Sequence, residues 1–497
     1  MKRIKPIAMY LPQFHRTKEN DEWWGEGFTD WVSVKGATAL MENHMQPREP
    51  LNDNYYNLLD KKTMEWQASL AKQYSIYGFC FYHYWFKDGR KVLEKPAENL
   101  LKWIDIDMKF CFSWANVTWA QTWSKLTSIN SWAPQYEADD LRKKYENGVL
   151  LEQKYGREEE WIKHFNYLLP FFKDSRYIRI EGKPLFVIYR AMDMPAVQPM
   201  LRLWNELARE NGLPGIYVIA EFCNEYSSEI DACMRHEPEV SRGVIRSRYL
   251  ASGKSTLALD YDEVYEVALS EKKDNMFGKK FLMCFTDFDN TPRKGKNGEI
   301  LTGVTVDKFE KYFSEEVKKS REWGNEYIFI NAWNEWGEGM YLEPDKRYNY
   351  GFLEAVNRVV NADMESNREA SSSRPNSYMA NMKCLDKWLY INEEGKKLAD
   401  YLIDSNCKEV AIYGCGILGK HLLVELEKTE VNVKYIIDKK RSGKIGSIDI
   451  IGIEEPFEKV DAIIVTPTWD FNRIEEELAS KFEGRILSLA EILYEMY

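Results

Sequence analysis

Short apolar segments recur along the chain between residues 4 and 333, and amphipathic helical stretches separate them. Apolar runs of this length are typical of strands buried in a parallel sheet. The predicted strands are 4–11, 77–86, 109–116, 184–190, 215–221, 231–236, 279–293 and 327–333. The predicted helices between them include 62–75, 139–151, 159–173, 196–211 and 305–323. Strands that alternate with helices predict a (β/α)8 TIM-type barrel over residues 1–361, although the weak sixth strand leaves an irregular barrel open.

Polar and aromatic side chains follow nearly every predicted strand. The second strand ends in His83, Tyr84 and Trp85, and the third ends in Trp114 and Asn116. In a (β/α)8 barrel, the carboxyl-terminal strand ends and their loops build the active site. Aromatic faces combined with hydrogen-bonding groups are suited to holding sugar rings. The pattern therefore predicts a glycan-binding pocket at this end of the barrel.

The segment 327–344, YIFINAWNEWGEGMYLEP, places two carboxylates directly after the eighth predicted strand. Gly337 lies between Glu335 and Glu338 and lets the chain bend, so that both side chains can face one pocket. Neighbouring indoles exclude water, which raises the pKa of at least one carboxyl group. Such a pair suits sugar chemistry, because one group holds a proton while the other removes one. A helix-start capping cluster with surface acids is the alternative interpretation.

The acidic composition argues against two classes of binding partner. A formal net charge of −11 and a pI near 5.4 argue against a nucleic-acid or anionic-membrane surface. No window approaches the roughly 18 apolar residues of a spanning helix, and the first residues lack a signal-peptide pattern. The cysteines form no CxxC pair, which predicts reduced thiols and a cytoplasmic protein. They are residues 80, 111, 223, 233, 284, 384, 407 and 415.

The composition changes after the predicted barrel. A serine run interrupts the periodicity before a helical stretch begins, so residues 362–404 are predicted to be a linker and connecting helix. Strands and helices alternate again beyond this point. Residues 405–497 are therefore predicted to form a small Rossmann-like α/β domain.

A glycine motif opens this second domain. Gly414, Gly416 and Gly419 lie between a predicted strand and a helix, and Asp438 ends the next strand. This is the pattern of a dinucleotide site, with the acid placed for a ribose hydroxyl. A nucleotide or nucleotide sugar is the candidate ligand here, ahead of a cofactor for NAD-dependent redox chemistry. The alternative is that the glycines serve the tight turn and close helix packing, with no cofactor bound.

Several segments over roughly residues 1–360 resemble the WbsX-like proteins, which are encoded with cell-surface polysaccharide enzymes and are commonly described as glycosyltransferases. The segments are MYLPQFH at 9–15, DEWWGEGFTDW at 21–31, GFCFYHYWF at 78–86, FDNTPR at 288–293 and AWNEWGEGMYLEPD at 332–345. The catalytic-type domain of that family is similar to glycoside hydrolase family ninety-nine, the endo-α-mannosidases and endo-α-mannanases. The resemblance implies a (β/α)8 barrel that cleaves or transfers an α-linked sugar of an O-antigen or capsule with retention.

The resemblance also implies roles for individual residues. Carried over to this sequence, it makes Glu335 the base that acts on the sugar 2-hydroxyl and Glu338 the general acid and then base. The 2-oxygen would attack the anomeric carbon and give a 1,2-anhydro sugar. Val117 departs from the pattern, because related sequences often carry a carboxylate there. The candidate substrate-binding residues are Tyr10, His83, Trp85, Trp114, Asn116, Tyr189, Asn334 and Trp336.

Three classes of function remain open: a glycosidase or transglycosidase, a nucleotide-sugar-dependent glycosyltransferase, and a non-catalytic glycan-binding subunit. The barrel offers no DxD-type metal pair and no glycine-rich phosphate loop, so a nucleotide sugar would depend on the C-terminal glycines. The expected substrate is an oligo- or polysaccharide, and a lipid-linked glycan at the membrane surface is one form of it.

Other ionisable residues at the predicted strand ends have structural interpretations. Asp287, Asp289 and His236 match no known metal-ligand spacing, so neither a metal nor a cofactor is expected in the barrel. Glu221 is a candidate for a buried pair with Arg190, which would hold the barrel mouth together.

Overall fold

The computed structural model describes residues 4–120, 149–222, 228–273, 279–439 and 442–496. The chain forms two compact units, Lys2–Met364 and Glu365–Tyr497. Each unit has a sheet and a hydrophobic core of its own.

The first unit is built on a ring of parallel strands that are buried along most of their length. Burial on both faces explains why the sequence shows continuous apolar runs rather than alternation. The strands are β1 (Lys5–Tyr10), β2 (Gly78–Trp85), β3 (Phe110–Trp114), β4 (Lys183–Ile188), β5 (Tyr217–Glu221), β6 (Ala232–Met234), β7 (Lys279–Phe281), β8 (Met283–Phe285) and β9 (Tyr327–Asn331).

The ring of strand pairings closes. Each strand from β1 to β6 pairs with the next, β6 pairs with β7, β8 pairs with β9, and β9 returns to β1. Segments β7 and β8 are separated only by Leu282, whose carbonyl accepts a hydrogen bond from Phe329 N at 3.0 Å. Together they form the seventh barrel strand, so the ring is eight-stranded. The predicted (β/α)8 barrel is confirmed, and its weak sixth strand is β6.

Helices connect most of the barrel strands on the outside of the ring. The connection between β5 and β6 is the short segment 222–231, of which 223–227 lie outside the described residues. The helices are α1 (Lys18–Trp24), α2 (Asp30–Lys35), α3 (Lys61–Gln73), α4 (Lys95–Lys102), α5 (Glu158–Lys173), α6 (Val197–Glu210), α7 (Glu239–Ala251), α8 (Tyr261–Leu269), α9 (Thr291–Lys294), α10 (Val306–Glu322) and α11 (Gly351–Glu393).

Two segments differ from the sequence expectation. Most of the helix predicted at 139–151 lies outside the described residues, and its end, Val149–Leu151, is a short strand paired with Trp119–Ala120. Leu150 and Leu151 pack there into an aromatic cluster, which outweighs their helix propensity. The backbone over 362–382, expected as a linker, lies within helix α11. Serine and asparagine lower helix propensity by at most about 0.7 kcal/mol per residue, which does not by itself end a helix.

The second unit is an α/β domain with a six-stranded sheet in the order β12-β13-β11-β10-β14-β15. The edge strand β12 is antiparallel, and the rest of the sheet is parallel. Numbered along the chain, its five parallel strands lie in the order 3-2-1-4-5, which matches five of the six positions of the order 3-2-1-4-5-6. The elements are α12 (Leu398–Asp404), β10 (Glu409–Tyr413), α13 (Ile417–Leu426), β11 (Asn432–Ile437), β12 (Gly443–Ile445), β13 (Ile448–Ile451), β14 (Ala462–Val465), α14 (Phe471–Ala479), β15 (Arg485–Ser488) and α15 (Leu489–Met496).

Across the part of the chain that the structure describes, no helix combines the length and apolarity needed to cross a membrane. Among the cysteines, Cys233 is disulfide-bonded, and Cys223 lies outside the described residues. The prediction that all cysteines are reduced is therefore wrong at Cys233, because sequence spacing does not reveal which thiols the fold brings together. The free thiols are Cys80, Cys111, Cys284, Cys384, Cys407 and Cys415.

Candidate functional site

The two predicted carboxylates lie on a tight loop that follows β9. Asn334–Glu335 pairs in antiparallel fashion with Met340–Tyr341, and the 3-10 turn Trp336–Glu338 connects the two segments. This reversal places the side chains of Glu335 and Glu338 in the lining of one cavity.

Neighbouring side chains anchor this loop to the barrel. The amide of Asn334 binds both backbone groups of Leu11 just after β1: Oδ1 accepts from N at 2.8 Å, and Nδ2 donates to O at 3.0 Å. Trp336 stacks on Tyr341 with ring centroids 3.8 Å apart, and its Nε1 donates to Glu343 Oε2 at 2.7 Å. Asn334 and Trp336, expected to bind substrate, are therefore engaged in supporting the loop and are not part of the cavity lining.

Two glycines in the loop serve different purposes. Gly339 ends the 3-10 turn with a φ of +68°, a left-handed conformation that favours glycine. Gly337 has no positive φ, but a Cβ there would lie 2.5 Å from Asp30 Oδ2 and 2.7 Å from Arg293 Nε. The bend that we expected at Gly337 thus falls at Gly339, while Gly337 makes room for a neighbouring ion pair.

That ion pair is centred on Arg293, which bridges both carboxylates. Its Nη1 donates to Glu338 Oε1 at 2.7 Å, and its Nη2 donates to Glu335 Oε2 at 3.0 Å. The same guanidinium binds both oxygens of Asp30, at 3.2 Å from Nε and 2.9 Å from Nη2. This one cation on α9 therefore fixes three carboxylates, one from α2 and two from the loop after β9.

The environments of the two glutamates differ. The side chain of Glu335 is 8% exposed, whereas that of Glu338 is 30% exposed. Burial is the largest influence on Glu335 and raises its pKa, Arg293 opposes this, and the negative charges of Glu338 and Asp30 add to it. The resulting pKa of Glu335 is about 8. At neutral pH this carboxyl group holds its proton in the absence of a ligand.

The carboxylates open into a cavity at the carboxyl-terminal ends of the barrel strands, with a volume of about 180 Å³. The lining residues are Leu11, Gln13, Trp24, Phe28, Asp30, Ser33, Tyr82, Tyr84, Ala115, Val117, Trp119, Leu150, Tyr189, His236, Arg293, Glu335 and Glu338.

The lining is two-sided. The ends of β1 to β3 and their loops supply most of the aromatic and aliphatic side chains, among them Trp24, Phe28, Tyr84 and Trp119. The rings of Tyr84 and Trp119 pack edge to face, with centroids 5.1 Å apart. The ends of β4 to β9 supply most of the charged groups, which are Arg293, Glu335 and Glu338. A sugar, with an apolar face and a polar rim, suits such a cavity.

A second polar pair lies at the carboxyl-terminal ends of β5 and β6. His236 lines the cavity, and its Nδ1 is hydrogen-bonded to Oε2 of the fully buried Glu221. Burial is the largest influence and lowers the pKa of His236, but the charge and hydrogen bond of Glu221, together with the charges of Glu239 and Glu338, raise it above its ordinary value. The expected pairing of Glu221 with Arg190 is wrong, since the Arg190 guanidinium stacks instead over Phe222 at 3.8 Å.

Strand β2 shows why several predicted residues lie outside the cavity. Tyr82 and Tyr84 line it, whereas His83 and Trp85, which alternate with them, point to helix α5. Trp85 stacks on the ring of His164 at 4.5 Å, and His83 Nε2 lies 2.8 Å from His164 Nε2. Burial lowers the pKa of His83 to about 3, so this histidine pair is neutral.

Three further residues that were predicted to bind substrate also lie outside the cavity lining. Tyr10 is fully buried and donates to Gln67 on α3 at 2.7 Å. Trp114 packs against α5 and donates to the carbonyl of Trp85 at 3.2 Å. Asn116 binds both backbone groups of Arg190, at 2.7 and 3.0 Å.

Tyr189 is the predicted substrate-binding residue that lines the cavity, where it joins Glu335 and Glu338. Val117, which departs from the pattern of related sequences, also lines it. Sequence analysis missed Asp30 and Arg293. Both lie in segments that carried the family resemblance, 21–31 and 288–293, and this shared location is the signal that could have identified them.

The acidic residues after β8 form ion pairs. Asp287 binds Arg48 at 2.9 Å, and Asp289 accepts from His44 Nε2 at 2.9 Å and from Gln46 Nε2 at 2.6 Å. Among the residues that the structure describes, no group of His, Cys, Asp and Glu side chains has an arrangement that could hold a metal ion.

In the second unit, the glycine loop after β10 is closely packed. Gly414 has a φ of +97°, and a Cβ on Gly419 would lie 2.0 Å from the carbonyl oxygen of Gly414. Asp438 Oδ2 accepts from the backbone N–H of Cys415 at 2.8 Å. A Cβ on Gly416 would meet nothing within 4 Å. Gly414 and Gly419 are thus required by the turn and the helix packing, and nucleotide binding at this loop stays a prediction.

Comparison with known proteins gives a family match over the barrel. The family model described as "Glycosyltransferase WbsX" matches residues 6–356. Two curated relatives, both called "Uncharacterized protein WxcX", come from two strains of Xanthomonas campestris pv. campestris. Each is 29% identical over 364 residues, which cover 71% of this chain and 49% of the relative. The chain therefore spans about half the length of the curated relatives it matches.

Solved structures of similar fold were also found. One is the GH99 endo-alpha-mannosidase from Bacteroides thetaiotaomicron, with a TM-score of 0.42 and 14% identity over 73% of this chain and 98% of that one. Another is described as a "Glycoside hydrolase-like protein", with a TM-score of 0.45 and 11% identity over 72% of this chain and 94% of that one.

Proposed function

The chain belongs to the WbsX glycosyltransferase family, and on that premise we propose that it is a glycan-active enzyme of O-antigen or capsule metabolism. It cleaves or transfers an α-linked sugar with retention, and Glu335 and Glu338 are the catalytic carboxylates. The observation that carries the proposal is their shared bridge through Arg293 in the lining of a single cavity. The substrate is an oligo- or polysaccharide, either free or attached to a lipid.

The first half of the reaction forms a 1,2-anhydro sugar. The carboxylate of Glu335 removes the proton of the 2-hydroxyl group, and the 2-oxygen attacks the anomeric carbon. The bond from that carbon to the leaving oxygen breaks, and Glu338 gives its proton to the leaving oxygen. The family resemblance of the segment 332–345 supports these roles. The greater exposure of Glu338 suits a group that must reach the leaving and entering oxygens.

The second half restores both carboxyl groups. Glu338, now a carboxylate, takes a proton from water or from a hydroxyl group of an acceptor sugar. The oxygen so activated attacks the anomeric carbon, the bond to the 2-oxygen breaks, and Glu335 returns its proton to the 2-oxygen. Two displacements at one carbon retain its configuration.

Arg293 partly offsets the effect of burial on Glu335. Removal of the 2-hydroxyl proton requires Glu335 as a carboxylate, although burial favours the neutral acid. The guanidinium 3.0 Å away opposes that effect of burial. A base with a pKa near 8 is also a stronger base than an ordinary glutamate.

The charges favour a glycosidase-type reaction over the use of a nucleotide sugar in the barrel. Among the described lining residues, the cations are Arg293, already bonded to three carboxylates, and His236, paired with Glu221. A diphosphate would enter a cavity that holds Asp30 and Glu338 with no cation left unpaired in the described lining. Nucleotide-sugar chemistry would therefore depend on a site elsewhere in the chain.

The experiment is an assay against a panel of α-linked oligosaccharides, with the anomeric configuration of the product followed by NMR. We expect a retained product, and a loss of about 10²–10⁴-fold in rate for Glu335→Gln and for Glu338→Gln. Glu354→Gln, which removes an exposed carboxylate of α11, is the matched control and should keep full activity.

Other outcomes would select the alternatives. Release of a nucleoside diphosphate from a nucleotide sugar, with no turnover of oligosaccharides, would favour a glycosyltransferase. Binding of glycans with no turnover and no effect of either Gln variant would favour a non-catalytic subunit.

A further inference from the structure

The pair formed by His236 and Glu221 has no part in the reaction described above. Glu221 is fully buried at the end of β5, and its Oε1 accepts from Ser113 Oγ at 3.3 Å. Its Oε2 is hydrogen-bonded to His236 Nδ1. An ionised carboxylate can only accept, so Nδ1 carries a proton. In the imidazolium form, which the neighbouring Glu221 charge favours, Nε2 carries a proton too and is left to donate to another partner.

Among the residues that the structure describes, Nε2 has only a weak partner. Asn331 Nδ2 lies 3.5 Å away, at the outer limit of hydrogen bonding. That amide already donates to the carbonyl of Glu237 at 3.0 Å. Two aromatic rings hold the imidazole of His236 in place. The ring of Tyr189 packs edge-on against it with centroids 5.0 Å apart, and the ring of Phe222 stacks on it with centroids 5.6 Å apart.

We propose that His236 binds the glycan, donating from Nε2 to an oxygen of the sugar held next to Glu335 and Glu338, and that Glu221 is its positioning residue. The inference rests on the proposed function and names a specificity-determining group for the same cavity. A hydroxyl or ring oxygen that accepts this bond distinguishes one sugar from its epimer, because the fixed imidazole cannot follow an oxygen that points elsewhere. His236 takes no part in bond making or breaking.

Two amide variants separate a binding role from a merely structural one. In His236→Asn the side-chain amide reaches the place of Nδ1, so it can still donate to Glu221 but presents nothing at the place of Nε2. In His236→Gln the longer side chain puts its amide near the place of Nε2 and gives up the bond to Glu221. Both are made in the Glu338→Gln protein, which binds without turnover, and the dissociation constant for an oligosaccharide that the wild-type enzyme processes is measured by calorimetry.

We expect His236→Asn to weaken binding about tenfold or more, and His236→Gln to recover most of that loss. Equal affinity of His236→Asn and the parent would overturn the inference, as would weaker binding by His236→Gln than by His236→Asn. If no α-linked oligosaccharide binds the parent, the proposed function and this inference fall together. Turnover that requires Glu335 and Glu338, combined with unchanged affinity in His236→Asn, would remove this inference alone.

Glu221→Gln tests the positioning role and does not require the histidine variants to fold. The charged groups that act on the imidazole are Glu221, Glu239 and Glu338, and Tyr189 is the titratable group whose ring contacts it. Without the Glu221 charge, the imidazole loses its proton at lower pH. Glycan affinity in Glu221→Gln should therefore fall between pH 6 and 8 by more than in the parent. Parallel pH profiles would contradict the positioning role.

Discussion

A Cβ atom on Gly337 would lie 2.7 Å from Nε of Arg293. The guanidinium cannot move away easily, because it is bonded on its other sides to Glu335, Glu338 and Asp30. The absence of a side chain at residue 337 is therefore a condition for the geometry of the carboxylates.

Gly337→Ala should consequently disturb the site from within the loop. The methyl group forces Arg293 or Asp30 to shift, and overpacking of this kind costs about 1–3 kcal/mol. We expect a lower thermal midpoint together with a large loss of glycan turnover. Gly243→Ala in helix α7 is the control, since its Cβ would meet only the end of Arg246 at 3.8 Å, and it should stabilise the protein slightly. Full activity in Gly337→Ala would show that the bridge tolerates displacement.

Arg293→Met removes the cation and leaves three carboxylates without their partner. Loss of one partner from a buried ion pair costs roughly 3–5 kcal/mol, which urea unfolding would detect. Arg293→Lys keeps the charge but lacks the planar fork, so we expect an intermediate loss. Arg358→Met, which breaks an exposed pair with Glu310, should cost less than about 1 kcal/mol. Similar losses in Arg293→Met and Arg358→Met would argue against the bridge.

The pH dependence of kcat/KM should report the titration of Glu335. Its pKa is about 8, raised first by burial and then by Glu338 and Asp30. A base must be ionised, so we expect kcat/KM to fall as the pH decreases through about 8. Asp30→Asn removes one of the charges that raise this pKa and should move the decrease in kcat/KM to lower pH. A rate that decreases on the alkaline side of pH 8 would instead make Glu335 the acid.

Acid should destabilise the barrel through the buried histidine pair. The pKa of His83 is about 3 and that of His164 is also depressed, both because burial disfavours the charged imidazolium. The unfolded chain takes up these protons near pH 6.5. The stability associated with the neutral pair is thus complete above pH 6.5 and is lost as the pH falls towards 3.

Replacement of both histidines by glutamine removes the titration while leaving polar side chains that can bond to each other. The thermal midpoint of the double variant should depend less steeply on pH between 6.5 and 4 than that of the parent. The thermal midpoint of each protein at pH 7.5 is its reference value. Equal slopes would mean that the pair does not contribute to acid lability.

The sequence predicted the barrel and the carboxylate loop because both depend on local patterns. Apolar runs alternating with helices marked all eight barrel strands, and Glu335 and Glu338 follow the last of them. The face of a strand was harder to predict. In β2, Tyr82 and Tyr84 line the cavity while His83 and Trp85 face helix α5. A strand that is apolar on both sides carries no pattern that fixes which set points inward.

The contacts of Arg293 could not be predicted for another reason. The sequence shows that Arg293 and Asp30 are charged and lie near predicted strand ends, but their meeting at 2.9 Å depends on how two distant loops fold over the barrel. The same holds for His236 and Glu221, which belong to neighbouring strands with no common motif. Local patterns identify elements, whereas these pairings are products of the closed ring.

The two hydrogen bonds between the Asn334 amide and the backbone of Leu11 connect residues 323 positions apart. During synthesis the amino-terminal residues emerge first, and the loop that carries Glu335 and Glu338 is among the last parts of the barrel to appear. The backbone of Leu11 therefore lacks its hydrogen bonds to Asn334 until the eighth strand has left the ribosome. A nascent chain lacks the carboxylate pair at every earlier length, so the reaction proposed for this pair requires the whole barrel to have been synthesised.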